Sequence, residues 1–177
     1  MSTCRAAFGA LLTAVFISAR AGEPISIPQL CATDLTRQHP DWKVYEPDPE
    51  YTKEHPQLGD TLVPLVSDDF DSDGRADVAL LAMFQWHPPK DQRLRKSVQV
   101  FACLSSRGNR LISVSHVASA DSEYGLEVAN STPEKGGFND PKRGNTKGIV
   151  WTHTSYSGIA YWFEGGAFVE TMFGNDD

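Results

Sequence analysis

Short apolar runs separated by turn residues recur about every ten residues from Thr61 onward, and this cadence restricts the fold more than any other feature. Runs of this length, bounded by Gly, Pro, Asn, Asp and Ser, are typical of antiparallel β-strands. The predicted strands are Thr61–Val66, Val78–Phe84, Ser97–Leu104, Leu111–Val117, Tyr124–Val128, Gly148–His153, Ile159–Phe163 and Ala167–Phe173. The sequence therefore predicts a mainly β domain over residues 61–177.

Two of the connections between these runs are typical of β-hairpins. Ser105–Asn109 joins two runs through five residues that include Gly108, and Glu164–Gly166 joins two others through a pair of glycines. Short loops with glycine favour tight turns between antiparallel neighbours. We therefore expect both pairs of strands to lie side by side.

The first 21 residues are typical of a signal peptide. They carry Arg5 and Arg20 but no acid, and the apolar run 6–17 is too short for a membrane span, which needs about 20 residues. Small residues at Ala19 and Ala21 suit the cleavage rule. We expect export to the periplasm or the medium after cleavage near Ala21.

Residues 22–60 differ from the rest of the mature chain because they are rich in proline and contain only short apolar stretches. We interpret them as an irregular N-terminal arm with one short helix near Ala32–Gln38. The predicted organisation is thus a signal peptide (1–21), a proline-rich arm (22–60) and a β-rich domain (61–177).

The charge balance argues against nucleic acid as a partner. The chain has 16 Lys and Arg against 23 Asp and Glu, a net charge of −7, and loss of Arg5 and Arg20 with the signal leaves −9. Binding to a phosphate backbone requires clustered basic residues that release counterions. No membrane span is expected either.

Two cysteines remain after cleavage, Cys31 and Cys103. In an oxidising compartment two cysteines favour one disulfide, which would stabilise the fold by roughly 4 kcal/mol through closure of a long loop. The alternative is a pair of buried free thiols, since Cys103 lies in an apolar run.

Residues 69–77 have the form D-x-D-x-D-G-x-x-D. Carboxylates at alternate positions of a tight loop point to one centre, and calcium prefers six to eight hard oxygen ligands. Gly74 supplies the left-handed backbone that such a loop requires. The predicted ligands are the side chains of Asp69, Asp71 and Asp73, the main-chain carbonyl of Arg75, and Asp77, which binds directly or through water.

The loop differs from an EF-hand, because Leu80 stands where that motif has Glu and a strand-like run replaces the exiting helix. Segment Ser67–Leu81 instead resembles the calcium loop and following strand of FG-GAP or VCBS-type repeats, which occur in integrin-like β-propellers and in many exported bacterial proteins. The resemblance implies a calcium site between strands. The expected fold is an antiparallel meander or a partial propeller-like or sandwich domain.

Two classes of function follow. The first is a non-enzymatic exported β domain in which Ca²⁺ stabilises the fold and which binds a protein or glycan partner; an inhibitor or immunity-type protein of the periplasm fits this size. The second is a small calcium-dependent hydrolase that uses His153, Ser155 and nearby acids. We favour the first, because the predicted ligands nearly saturate the ion and the histidines lack zinc-site spacing. A metal-free acidic turn is the remaining alternative.

Overall fold

The computed structural model describes residues 25–56, 62–86, 95–130, 146–153 and 158–173, and this part is mainly β, as predicted. Two antiparallel sheets, one six-stranded and one four-stranded, make up the domain. The helices are α1 (Gln29–Gln38) and α2 (Pro49–Glu54). The strands are β1 (Lys43–Val44), β2 (Leu65–Asp68), β3 (Asp77–Trp86), β4 (Arg95–Leu104), β5 (Arg110–Ser113), β6 (Ala118–Ser119), β7 (Tyr124–Asn130), β8 (Lys147–His153), β9 (Gly158–Glu164) and β10 (Ala167–Phe173).

The larger sheet is built around the ten-residue strands β3 and β4, which pair from Val78↔Cys103 to Trp86↔Arg95. Strands β1 and β2 extend it beyond β3, while β5 and β6 extend it beyond β4. Both faces of β3 are apolar because alternate residues point to opposite sides and both sides are covered. This explains why the run reads as continuously hydrophobic rather than alternating.

The smaller sheet is a meander in the order β10-β9-β8-β7, and it packs against one face of the larger sheet. The shared core contains Leu81 and Val100 from the larger sheet and Leu126, Trp151 and Tyr161 from the smaller one. Two antiparallel sheets that share a core in this way form a sandwich. Of the folds predicted from the sequence, the described residues form the sandwich.

The N-terminal arm covers the other face of the larger sheet. Helix α1 places Cys31 and Leu35 in a second core with Phe101 and Cys103, and β1 pairs with β3. The predicted disulfide is confirmed: Cys31 and Cys103 are bonded, with their Cα atoms 5.8 Å apart. The predicted helix is also confirmed and begins three residues earlier, at Gln29. The arm therefore forms a third layer over the sheet.

Two predicted strands are wrong by four residues at one end. The strand predicted at Thr61–Val66 begins only at Leu65, because Pro64 has no N–H to donate to a ladder. The strand predicted at Leu111–Val117 ends at Ser113. There the Ser115 hydroxyl accepts a hydrogen bond from the Val100 N–H at 3.0 Å, and this side-chain bond replaces a backbone rung.

His39 is predicted to make the free energy of unfolding of this protein depend on pH. Its ring stacks on Phe84 with centroids 3.7 Å apart, and burial lowers the pKa of His39 below 6.5, against the opposing charge of Asp41. The unfolded chain therefore binds more protons between pH 6.5 and the lower folded pKa, so stability should fall as pH falls through that window. Urea unfolding at several pH values should show this slope.

A His39→Gln variant serves as the control for this measurement, since it removes the titrating ring. Its stability should change less between pH 7 and pH 5 than that of the wild type. Equal slopes in the two proteins would contradict the assignment to His39.

Candidate metal centre

The acidic loop, defined as residues 69–76, connects β2 to β3 and is closed by pairing at its base. Asp68 lies opposite Asp77 in the register of these strands, and the Ser67 hydroxyl donates to the Asp77 carbonyl at 2.6 Å. Antiparallel pairing on both sides of the loop forces it to turn tightly. The sequence therefore folds here as a β-flanked loop rather than as a loop between helices.

Three carboxylates come together here, two from the acidic loop and one from the first residue of β3. Asp69, Asp71 and Asp77 each offer an oxygen, and these oxygens lie within 4.8 Å of one another. Asp77 is buried, with 1% of its surface exposed, whereas Asp69 and Asp71 are half-buried. Carboxylate oxygens at such separations are suited to a hard cation. The cluster could therefore hold a metal ion.

Main-chain N–H groups hold these carboxylates in place. Asp69 accepts from the amides of Asp73 (3.0 Å) and Gly74 (2.9 Å), and Asp77 accepts from those of Phe70 (3.0 Å) and Ser105 (2.7 Å). Gly74 adopts the expected left-handed conformation, with φ of 83°. The positions of the Asp69 and Asp77 carboxylates are thus set by main-chain N–H groups of the loop and of Ser105.

The side chains of Asp73 and Arg75 are not part of this cluster of three and pair with each other. The Asp73 carboxylate accepts two hydrogen bonds from the Arg75 guanidinium, at 2.7 and 3.1 Å, and one from the Ser105 hydroxyl at 2.8 Å. Desolvation acts to raise the pKa of Asp73, but these bonds outweigh it and hold the pKa below its usual value. The proposed ligand roles of the Asp73 side chain and the Arg75 carbonyl stay predictions.

The electrostatics of Asp77 differ from those of Asp73. Burial raises the pKa of Asp77, and the nearby charge of Asp71 raises it further, against the opposing hydrogen bonds from Ser105 and Phe70. A buried carboxylate beside another negative charge is destabilised in its ionised form. A cation between the two groups would remove that cost.

Sequence reasoning missed two residues that contact the loop. The Ser105 amide and hydroxyl bind Asp77 and Asp73, and the Ser106 hydroxyl donates to Asp71. Both serines lie about thirty positions further along the chain, and their run was predicted only as a hairpin turn. The pairing of Val78 with Cys103 brings that turn beside the acidic loop. Only knowledge of this register could have revealed the contact.

Of the two residues named for the hydrolase alternative, His153 lies within the described residues, and it is not part of the cluster of three carboxylates. His153 ends β8, and its ring lies 5.3 Å from that of Tyr124. Ser155 lies outside the described residues, as do residues 1–24, which contain the predicted signal peptide. The structure thus locates His153 without testing a catalytic pair.

Comparison with protein-family models, with curated proteins and with solved structures found no match for this chain. Within the described ranges, no helix has the length and apolar character needed to cross a membrane. The disulfide is consistent with a location outside the cytoplasm.

Proposed function

We propose that this protein is an exported, non-enzymatic β domain that binds Ca²⁺ at the acidic loop and binds a protein or glycan partner. The observation that carries the calcium site is the convergence of Asp69, Asp71 and Asp77 within 4.8 Å. Calcium is favoured over other cations because the donors are all carboxylate oxygens and because segment Ser67–Leu81 resembles FG-GAP or VCBS-type repeats.

The residues present fit a calcium ion. The side chains of Asp69, Asp71 and Asp77 would supply three of the six to eight oxygens that it prefers, and water and main-chain carbonyls complete such shells. The Asp73 carboxylate could become a further ligand if the cation replaced the exposed Arg75 guanidinium as its partner. Bound calcium would supply positive charge that holds the carboxylates together.

The proposed role of the ion is structural. The loop joins β2 to the central strand β3 and is hydrogen-bonded to the turn after β4, so a bound ion would hold three segments of the larger sheet together. This supports a stabilising role over a hydrolytic one.

The partner is proposed to bind at the aromatic edge, defined as Phe163 and Phe168 of the β9–β10 hairpin. The two phenylalanine rings meet edge to face with centroids 5.2 Å apart, and both side chains are partly exposed. Partly exposed aromatic residues are common in binding surfaces for proteins and glycans. Affinity capture from the periplasm or medium should recover a partner with the wild type and lose it with Phe168→Ala.

Calcium is expected to raise the thermal stability of the protein. At a calcium concentration 100 times the Kd, binding contributes about 2.7 kcal/mol, which corresponds to a rise in Tm of roughly 5–10 °C for a domain of this size. Calorimetry with calcium and then with chelator measures this directly. Asp71→Asn should abolish the rise because it removes one of the three convergent carboxylates.

Glu54→Gln in α2 is the matched control, since it also removes one acidic charge, from an exposed position. This variant should keep the full response to calcium. An unchanged melt of the wild type on adding calcium would refute the site.

A further inference from the structure

The turn Ser105–Arg107 contacts both sheets of the sandwich. It is a single 3₁₀ turn between β4 and β5, and its first two residues bind the acidic loop. The Ser105 hydroxyl donates to Asp73 at 2.8 Å, and the Ser106 hydroxyl donates to Asp71. The near end of the turn is therefore fixed to side chains of the acidic loop.

Its third residue reaches the other sheet. The Arg107 guanidinium donates to the carbonyl of Gly166 at 2.6 Å and lies 5.5 Å from the centroid of the Phe163 ring. Gly166 leaves room for this approach, because a Cβ there would lie 3.1 Å from Arg107 Nη2. Arg107 thus binds the β9–β10 hairpin through a carbonyl and an aromatic face.

The backbone between these two contacts is short and internally hydrogen-bonded. The Gly108 amide donates to the Ser105 carbonyl at 3.0 Å, and the Asn109 amide donates to the Leu104 carbonyl at 2.9 Å. Gly108 has a φ of 67°, which closes the turn in the left-handed region. Ser106 and Arg107 are therefore neighbours in a turn with a defined backbone conformation.

We infer that the Ser105–Arg107 turn couples the acidic loop to the β9–β10 hairpin, so that a change at Asp71 alters the contact between Arg107 and Gly166. The coupling is carried by the contacts themselves. The cation that would act on the turn and the partner that would respond both rest on the proposed function: a cation at Asp71 would compete with the Ser106 hydroxyl for the carboxylate oxygen. The hairpin includes the aromatic edge, so the cation would then influence partner binding.

The amide resonance of Ala167 in a ¹H–¹⁵N spectrum tests the coupling. Its N–H belongs to the same peptide group as the Gly166 carbonyl, which makes its chemical shift sensitive to the bond from Arg107. Ser106→Ala should shift this resonance in the wild-type background. It should not shift it when Arg107→Ala is already present. Ser113→Ala, an exposed serine on β5, is the matched control and should leave the resonance in place.

The two proposals fail in different ways. If Ser106→Ala shifts the Ala167 resonance through Arg107 but calorimetry shows no calcium binding, the coupling stands and the calcium site is refuted. If calcium binds, yet neither calcium nor Ser106→Ala moves this resonance, the coupling is overturned and the calcium site stands. An equal shift with and without Arg107 also overturns the coupling.

Discussion

Loss of the Cys31–Cys103 disulfide is expected to lower the free energy of unfolding by about 4 kcal/mol. The bond closes a loop with a sequence separation of 72 residues, so its removal releases a large amount of chain entropy in the unfolded state. It also frees helix α1, whose packing against the larger sheet depends on Cys31 and Leu35. Urea unfolding of the Cys31→Ala/Cys103→Ala variant, compared with the oxidised wild type, measures the loss.

Reductant separates the cross-link from the packing of the sulfur atoms. Wild-type protein unfolded and refolded with reductant should lose most of the same stability, whereas reductant should have no effect on the double-alanine variant. Equal midpoints for oxidised and reduced wild type would show that the bond does not stabilise the fold.

Much of the fold could be predicted because its signals are local. The apolar runs, the glycine turns after Leu104 and Glu164, and the pairing of two cysteines each depend on residues near in sequence or on simple counting. Strand boundaries were less predictable. The missing N–H of Pro64 makes one strand begin later than hydrophobicity suggests, and the competing side chain of Ser115 makes another end earlier.

The acidic loop was predictable for the same reason, but its surroundings were not. The spacing of the aspartates indicates their convergence, and the structure brings Asp69, Asp71 and Asp77 together. The spacing does not indicate that Asp73 pairs with Arg75, because the Asp73 carboxylate can either join the other aspartates or bind the nearby guanidinium. Nor does the spacing indicate the contacts of Ser105 and Ser106 with the loop, because these depend on the register in which β3 pairs with β4.

Packing between strands was also beyond the reach of sequence patterns. Gly148 was predicted only as the start of a strand, yet it lies opposite Trp162 in the register of β8 and β9. A Cβ at Gly148 would lie 2.9–3.0 Å from three carbon atoms of the indole ring. The glycine is therefore required by the ring, and the two residues form a complementary pair.

Trp162→Ala is expected to lower the free energy of unfolding by about 3–5 kcal/mol, the range observed for removal of a large buried aromatic side chain. Trp162 is 1% exposed and belongs to a separate core cluster with Ala129, Val150 and Ala160, in which it is the largest side chain among the described residues. Urea unfolding of the variant measures the loss. Gly148→Ala is expected to cost about 1–3 kcal/mol by forcing the indole ring out of place.

The double variant distinguishes this complementary packing from two independent defects. With the indole gone, a methyl group at position 148 meets no ring and fills part of the cavity, so Gly148→Ala should cost less in the Trp162→Ala background than in the wild type. A double-mutant cycle by urea unfolding should therefore give a coupling energy of roughly 1 kcal/mol or more. The energy of close packing between positions 148 and 162 appears only when both wild-type residues are present. If the losses of the two single variants simply add, the glycine is needed only for its backbone conformation.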